Sequence, residues 1–186
     1  MSTPTATQTL IPSGTWTIDP AHSKVGFAVK HMGVSTVRGE FREFEGTLEI
    51  GDTLADSRAY GTVKAQSIDT GVADRDAHLR SADFFSAEEH PELRFESKRI
   101  EQADEDTLRI VGDLTMNGVT REVELTAEVT GVGKGMNDED VLGLEVRGQV
   151  SRKDFQMKFN AMLGTGNAVV GDKVKLELDL EAQRQA

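Results

Sequence analysis

The sequence predicts an all-β protein, an eight-stranded antiparallel barrel with one short helical segment. Three observations lead to this prediction. Apolar and polar residues alternate in short segments, as expected for strands with one wet face and one apolar face. Glycines and turn dipeptides separate these segments, and only residues 69–92 break the alternation. A closed sheet of about eight strands encloses packed side chains or one small ligand. The same alternation permits a two-sheet sandwich, which is the alternative architecture.

Eight segments carry the alternation, and a short one at 16–19 precedes them. They are residues 23–31, 34–50, 57–68, 93–100, 107–116, 119–133, 142–150 and 173–182. In the second segment the alternation slips by one residue between Phe41 and Phe44, which indicates a β-bulge that helps the sheet to bend. In the third, one face carries small residues that leave space in the interior. In the last, the apolar face is Val174, Leu176, Leu178 and Leu180.

The exceptional segment at 69–92 has apolar residues at helical spacing. We predict a short helix at about 72–80, capped by Asp69 or Thr70. Phe84 and Phe85 follow it side by side, before the chain becomes extended again. The helix and the two rings either seal one end of the barrel or line its mouth.

The composition excludes several classes of function. A formal net charge of −11 disfavours general nucleic-acid binding, because an acidic surface repels phosphates. Without cysteine, the chain has no disulfide, thiolate metal site or cysteine nucleophile. The four histidines lack the spacing of a zinc site, and no nucleotide-binding or nucleophile motif is present. We therefore expect neither a metal nor a cofactor.

Residues 1–13 are rich in threonine, serine and proline, and we predict a disordered or loosely draped tail before a single barrel domain at 14–186. The tail lacks the basic region and apolar core of a signal peptide. No segment approaches the ~20 apolar residues of a membrane helix. We therefore expect a cytoplasmic protein. The weakly polar loop at 159–172 is either functional or a plain connector.

Several blocks of sequence, in order, resemble the YceI-like proteins. They are residues 19–27, 30–31, 34–41, 67–71, 75–81, 83–85, 91–97 and 112–120, and the resemblance spans about 14–182. It implies an extended, lipocalin-like barrel that binds an isoprenoid quinone or polyprenyl lipid, and a member of the cytoplasmic branch. One departure is Gln156, where the family tends to have glycine after Asp154 and Phe155. We expect this change to alter the loop that follows and one end of the pocket.

The ligand-binding residues expected from these observations form two groups. The expected cavity wall is aromatic and consists of Phe27, Phe41, Phe44, Phe84, Phe85 and Phe95. The candidates for contact with the ligand headgroup are polar and consist of His22, Lys30, Arg38, His78 and Arg152. For each phenylalanine the alternative is an ordinary core position. For Arg38 and Arg152 the alternative is a salt bridge to Asp76 or Asp154.

Two other functions remain as alternatives at this stage. The first is a packed barrel without a cavity, acting as a protein-interaction or stress-associated module with 69–92 as its contact surface. The second is an enzyme acting on a lipid, with His22 and His78 as acid and base. The sequence leaves the oligomeric state undecided, with a homodimer as one alternative.

Overall fold

The structure, a computed structural model, describes residues 10–160 and 169–186. Within them, eleven strand segments form one antiparallel sheet. The segments are β1 (Gly14–Ile18), β2 (Lys24–His31), β3 (Ser35–Phe41), β4 (Phe44–Ile50), β5 (Arg58–Lys64), β6 (Ile68–Asp69), β7 (Glu92–Gln102), β8 (Thr107–Met116), β9 (Val119–Lys134), β10 (Asp140–Ser151) and β11 (Val170–Arg184). The helix α1 is Ala73–Arg80, and short 3₁₀ helices lie at Pro20–His22, Leu54–Asp56, Ala65–Ser67 and Arg152–Phe155.

The eleven segments build eight barrel strands, because three strands are each interrupted once. The 3₁₀ helix Pro20–His22 separates β1 from β2, residues 42–43 separate β3 from β4, and Ala65–Ser67 separates β5 from β6. Neighbours along the chain pair in antiparallel fashion, and β1 pairs with both β4 and β11. This last pairing closes the sheet. The predicted eight-stranded barrel is therefore confirmed, and the two-sheet sandwich is not adopted.

The predicted helix is also confirmed, but its predicted cap is wrong. Val72 occupies the N-cap position, and no side chain caps the helix there. Instead, the Thr70 N–H and hydroxyl both donate to Asp76 Oδ1, at 2.9 and 2.5 Å. Gly71 has a φ of +84°, and this left-handed backbone conformation turns the chain between Thr70 and the helix that carries Asp76. The helix therefore holds the preceding turn through Asp76.

The interior of the barrel contains two clusters of buried apolar side chains. The turn-end cluster lies near the connections between strands at 51–57, 103–106 and 135–139, and includes Ile11, Trp16, Leu108, Leu142 and Ala182. The helix-end cluster lies beneath α1 and Arg152–Phe155, and includes Phe41, Ile68, Leu93, Phe155 and Met157. Each end of the barrel therefore has its own plug of packed side chains.

The predicted loose tail is wrong for the residues just before β1. Ile11 is only 1% exposed and belongs to the turn-end cluster. The Trp16 indole N–H donates to the Pro12 carbonyl at 2.9 Å, which fixes residues 10–13 against the barrel. The remainder of the predicted tail, 1–9, lies outside the described residues. Among the described residues, no helix is long and apolar enough to span a bilayer.

Candidate functional site

A cavity of about 280 Å³ lies between the two clusters. Side chains from all eight barrel strands line it, together with residues from α1 and the segment that follows α1. The wall is almost entirely aliphatic and aromatic. Its volume is close to the lower limit of ~300 Å³ for sites that bind small organic molecules. The barrel is therefore hollow at its centre.

The six phenylalanines proposed from the sequence all lie on the wall of this cavity. They are Phe27, Phe41, Phe44, Phe84, Phe85 and Phe95. Phe41 connects two of them, because its ring centroid lies 5.7 Å from that of Phe27 and 5.6 Å from that of Phe85. These distances are typical of favourable tilted and edge-to-face contacts.

Glycines make room for two of these rings. Phe27 on β2 faces Gly39 on β3, where an added Cβ would lie 2.5 Å from the Phe27 ring. Phe95 on β7 lies over Gly112 on β8, where an added Cβ would lie 2.7 Å from the ring. A larger residue at either glycine would displace a wall residue.

A second pair of glycines creates empty space. Gly46 on β4 and Gly61 on β5 are directly paired, and both line the cavity. Neither contributes a side chain, so the wall here is bare backbone. An added Cβ at Gly61 would lie 2.7 Å from the Glu45 carbonyl oxygen. The small inner face predicted for this strand therefore provides part of the cavity volume.

The helix end is covered by an aromatic cluster of His78, Phe84 and Phe159. The His78 ring lies 5.1 Å from Phe84 and 4.7 Å from Phe159, both edge to face. His78 Nε2 also lies 2.8 Å from Asp83 Oδ2. Within α1 the only buried residue is Asp76. Rings and polar contacts, more than buried helix surface, therefore hold this cover in place.

Arg152 is the one buried charged side chain on the cavity wall among the described residues, with 3% of the residue exposed. Its Nε donates to the Gly171 carbonyl at 2.9 Å, and its Nη1 donates to the carbonyls of Met157 and Phe159, each at 2.7 Å. Its Nη2 donates to the Val170 carbonyl at 3.2 Å. Arg152 therefore joins the chain after β10 to the start of β11.

The ion-pair partner of Arg152 is Asp172, at 3.6 Å, and not the predicted Asp154. Burial lowers the pKa of Arg152 from its ordinary value, while the negative charge of Asp172 opposes this change. The guanidinium keeps its charge at neutral pH, because arginine is not deprotonated in proteins. The buried charge is thus balanced by backbone dipoles and one carboxylate.

The other headgroup candidates are not on the cavity wall. Lys30 and Arg38 are exposed on the outside of the barrel, and His22 lies in the 3₁₀ helix between β1 and β2. Arg38 Nε lies 3.7 Å from Glu177, so the predicted pairing with Asp76 is wrong. His78 belongs to the aromatic cover. The structure therefore does not bring the five polar candidates together.

The block of sequence around His22 has a structural explanation. Asp19 Oδ1 accepts the Ala21 N–H at 3.0 Å, and Asp19 Oδ2 lies 2.7 Å from His22 Nδ1. The Asp19 N–H donates to the Glu181 carbonyl at 2.8 Å, which attaches the turn to β11. The contact with Asp19 raises the pKa of His22, and the contact with His22 lowers the pKa of Asp19. This turn fixes the interruption between β1 and β2.

Asp19, His22 and Glu181 also bring three metal-ligand atoms within 4.8 Å of one another. Within the described residues they are the only group of three that does so. The hydrogen bonds of the turn already account for this arrangement, and the His22 side chain is 66% exposed. We infer no metal site from it.

Most residues of the cavity wall are aliphatic, and the site residues predicted from the sequence did not include them. Examples are Val25, Leu93, Leu114, Val123, Val174, Leu176, Leu178 and Leu180. The alternation of β11 provided the signal, because its four apolar positions all line the cavity. The predicted site contained only aromatic and polar residues, so it left out the apolar face of β11.

Comparison with known proteins agrees with this geometry. The model of the YceI-like domain family matches residues 16–182. A UPF0312 protein of Staphylococcus epidermidis is 39% identical over 166 residues, covering 88% of this chain and 94% of the relative. A UPF0312 protein of Staphylococcus aureus is 37% identical over 169 residues, covering 89% and 95%.

Solved structures share the fold. A YCEI protein of Campylobacter jejuni superposes with a TM-score of 0.72 at 30% identity, covering 90% of this chain and 96% of that one. BcnA of Burkholderia cenocepacia has a TM-score of 0.77 at 22% identity, covering 88% and 98%. A polyisoprenoid binding domain from Saccharophagus degradans has a TM-score of 0.68 at 12% identity, covering 91% and 98%. With its barrel, its cavity and these relatives, the chain belongs to the YceI-like family.

Proposed function

We propose that this protein binds a long-chain isoprenoid lipid, an isoprenoid quinone or a polyprenyl lipid, in the barrel interior, for transport, storage or metabolism. The observation that carries the proposal is the apolar cavity, to which every barrel strand contributes. The name of the Saccharophagus domain, which has the same fold, supports the choice of ligand class.

An apolar wall is sufficient for useful affinity. At ~30 Å³ for a water-sized group, the cavity accommodates on the order of ten methylene-sized groups. Burying ten such groups contributes about 8 kcal/mol before the costs of association. A longer chain needs more space, so it extends beyond the cavity or displaces side chains at one end.

We infer that the ligand enters at the helix end. The turn end is closed by the packed side chains of the turn-end cluster, among them Trp16, which is 0% exposed. At the helix end the cover consists of α1 and the rings of His78, Phe84 and Phe159. More than a third of the His78 side chain and of Phe159 is exposed to solvent. Moving this cover breaks ring contacts and a few hydrogen bonds but no strand pairing.

Two alternatives have less support. A packed interaction module predicts no cavity, whereas the structure contains one. An enzyme using His22 and His78 as acid and base would need both beside the ligand, but His22 lies between β1 and β2, His78 lies in the cover of the helix end, and neither residue is on the cavity wall. We therefore propose binding without catalysis. A retained ligand with turnover that is lost on replacing either histidine would favour the enzyme instead.

The first test is organic extraction of the purified protein, followed by mass spectrometry, beside native mass spectrometry of the intact chain. We expect a near-stoichiometric isoprenoid. In Val123→Phe an added ring on the cavity wall should reduce the bound fraction severalfold. The matched control is Val132→Phe, which makes the same change on the same strand at an exposed position. An empty wild-type protein that also fails to take up an added isoprenoid quinone would refute the proposal.

Cytoplasmic location and a homodimer are further predictions, as is an association with stress. Cell fractionation with an antibody against the chain tests the location. Light scattering of the purified protein determines the oligomeric state. Expression measured under oxidative and acid stress tests the association with stress.

A further inference from the structure

The charge content of the cavity wall limits which isoprenoids can bind. Among the described residues, the charged residues on the wall are Glu45, Arg94 and Arg152, and the first two are exposed. All 21 lysines and arginines of the chain fall within the described residues. Arg152 is therefore the only buried cation available to an anionic headgroup inside the barrel.

Arg152 has little capacity left for a ligand. A guanidinium has five N–H donors. Four of its hydrogen bonds go to the carbonyls of Met157, Phe159, Val170 and Gly171, and Asp172 lies near Nη2. An anion that bound Arg152 would have to displace these contacts and would meet the carboxylate of Asp172. Displaced carbonyls would lose their partners in a buried setting, which is costly.

The arginines and His78 in the segment that covers the helix end are also engaged in contacts within the chain. Arg75 donates to the hydroxyl and carbonyl of Thr70. Arg80 donates to the carbonyls of Gln66 and Ile68. His78 is paired with Asp83. These groups bind the chain to itself and do not form a site for phosphate.

We propose that this cavity selects isoprenoids with a neutral headgroup, such as an alcohol or a quinone, over those that carry a diphosphate or carboxylate. The inference rests on the proposed function and narrows it. A neutral oxygen can enter an apolar site at modest cost, whereas an unpaired anion cannot. The isoprenoid chain then provides the affinity, and the lack of an uncommitted buried cation among the described residues provides the selectivity.

Two ligands that differ only in the headgroup test this selectivity. Equilibrium binding of tritium-labelled geranylgeraniol and geranylgeranyl diphosphate is measured on the delipidated full-length protein, below the aggregation concentration of each ligand. We expect the alcohol to bind at least about tenfold more tightly. Equal or tighter binding of the diphosphate overturns the headgroup inference but leaves the lipid-binding proposal intact. If neither ligand binds, the proposed function itself fails, and this inference fails with it.

A pair of variants tests the role assigned to Arg152. Asp172→Asn removes the carboxylate beside the guanidinium, and we expect diphosphate affinity to rise about threefold or more. Asp154→Asn removes the same charge from an exposed position near Arg152 in sequence. We expect Asp154→Asn to leave the affinity unchanged. An equal gain in both variants would show that overall charge, and not the engagement of Arg152, sets the preference.

Discussion

The two ends of the barrel are closed in different ways. At the turn end the strands continue to the rim, and Trp16, Leu142 and Ala182 are each 0% exposed. The three turns there carry seven carboxylates and no lysine or arginine, namely Asp52, Asp56, Asp104, Glu105, Asp106, Asp138 and Glu139. At the helix end, α1, three aromatic rings and the hydrogen bonds of Arg152 form the cover. Buried apolar side chains close the turn end, whereas the cover at the helix end also depends on ring contacts and hydrogen bonds.

The largest expected effect is at the turn end. Replacing Trp16 by alanine removes a fully buried ring and leaves a cavity, which should cost about 3–5 kcal/mol of unfolding free energy. Urea denaturation measures this cost. The rate of lipid release should not change at temperatures where the variant is folded. A decrease of less than ~1 kcal/mol in unfolding free energy would contradict the tight packing of the turn end.

The next effect tests the polar support of the helix end. Arg152→Met leaves buried carbonyls without donors, and we expect a loss of about 2–4 kcal/mol. Lys153→Met is the matched control, because Lys153 is exposed and contributes only a surface ion pair with Asp172. Urea denaturation should show less than ~1 kcal/mol for the control. Equal losses in the two variants would contradict the structural role of Arg152.

A third change separates stability from access to the cavity. Phe84→Ala opens the aromatic cover, and we expect a loss of about 3 kcal/mol of unfolding free energy, the lower end of the range for a buried phenylalanine. It should also speed the release of bound isoprenoid to acceptor vesicles severalfold. Ile11→Ala, a turn-end substitution, should lower stability without faster release. Faster release in Ile11→Ala alone would place the entrance at the turn end.

A smaller effect is expected at the departure from the family pattern. Gln156 follows the 3₁₀ helix Arg152–Phe155 with a φ of +59°, a conformation that glycine adopts without strain. Gln156→Gly should therefore stabilise the protein by about 0.5–1 kcal/mol. Thermal unfolding measures the change. A destabilised variant would mean that the Gln156 side chain makes a contribution larger than the backbone strain.

The smallest effect lies between the two ends, in the turn at Asp19. The carboxylate raises the pKa of His22 above its ordinary 6.5, and NMR titration of Asp19→Asn should show that pKa returning toward 6.5. Stability from charged His22 is present at pH values below 6.5 and is lost as pH rises through the raised pKa. The lowered pKa of Asp19 has the opposite consequence, because its contribution is lost as pH falls below 3.8. An unchanged His22 titration would contradict this pairing.

The sequence predicted the strands well because alternation is a local property. The slip between Phe41 and Phe44 appeared as the interruption between β3 and β4, and the helix appeared within one residue of its predicted start. The polar residues were harder to assign because their partners are distant in the chain. Arg152 meets Gly171, and Arg38 meets Glu177. Nothing near either arginine in sequence indicates that its partner lies on β11.

The pairing of β1 with β11 also determines when the molecule can fold. Trp16 pairs with Arg184, so the two ends of the chain must meet before the barrel closes. Contacts between residues so far apart in sequence form slowly, because the loop between them must first lose its entropy. Until β11 has been synthesised, the edges of β1, β2 and β10 that pair with it have no partner strand. The protein therefore passes through a stage of synthesis at which its apolar interior is still open along one side.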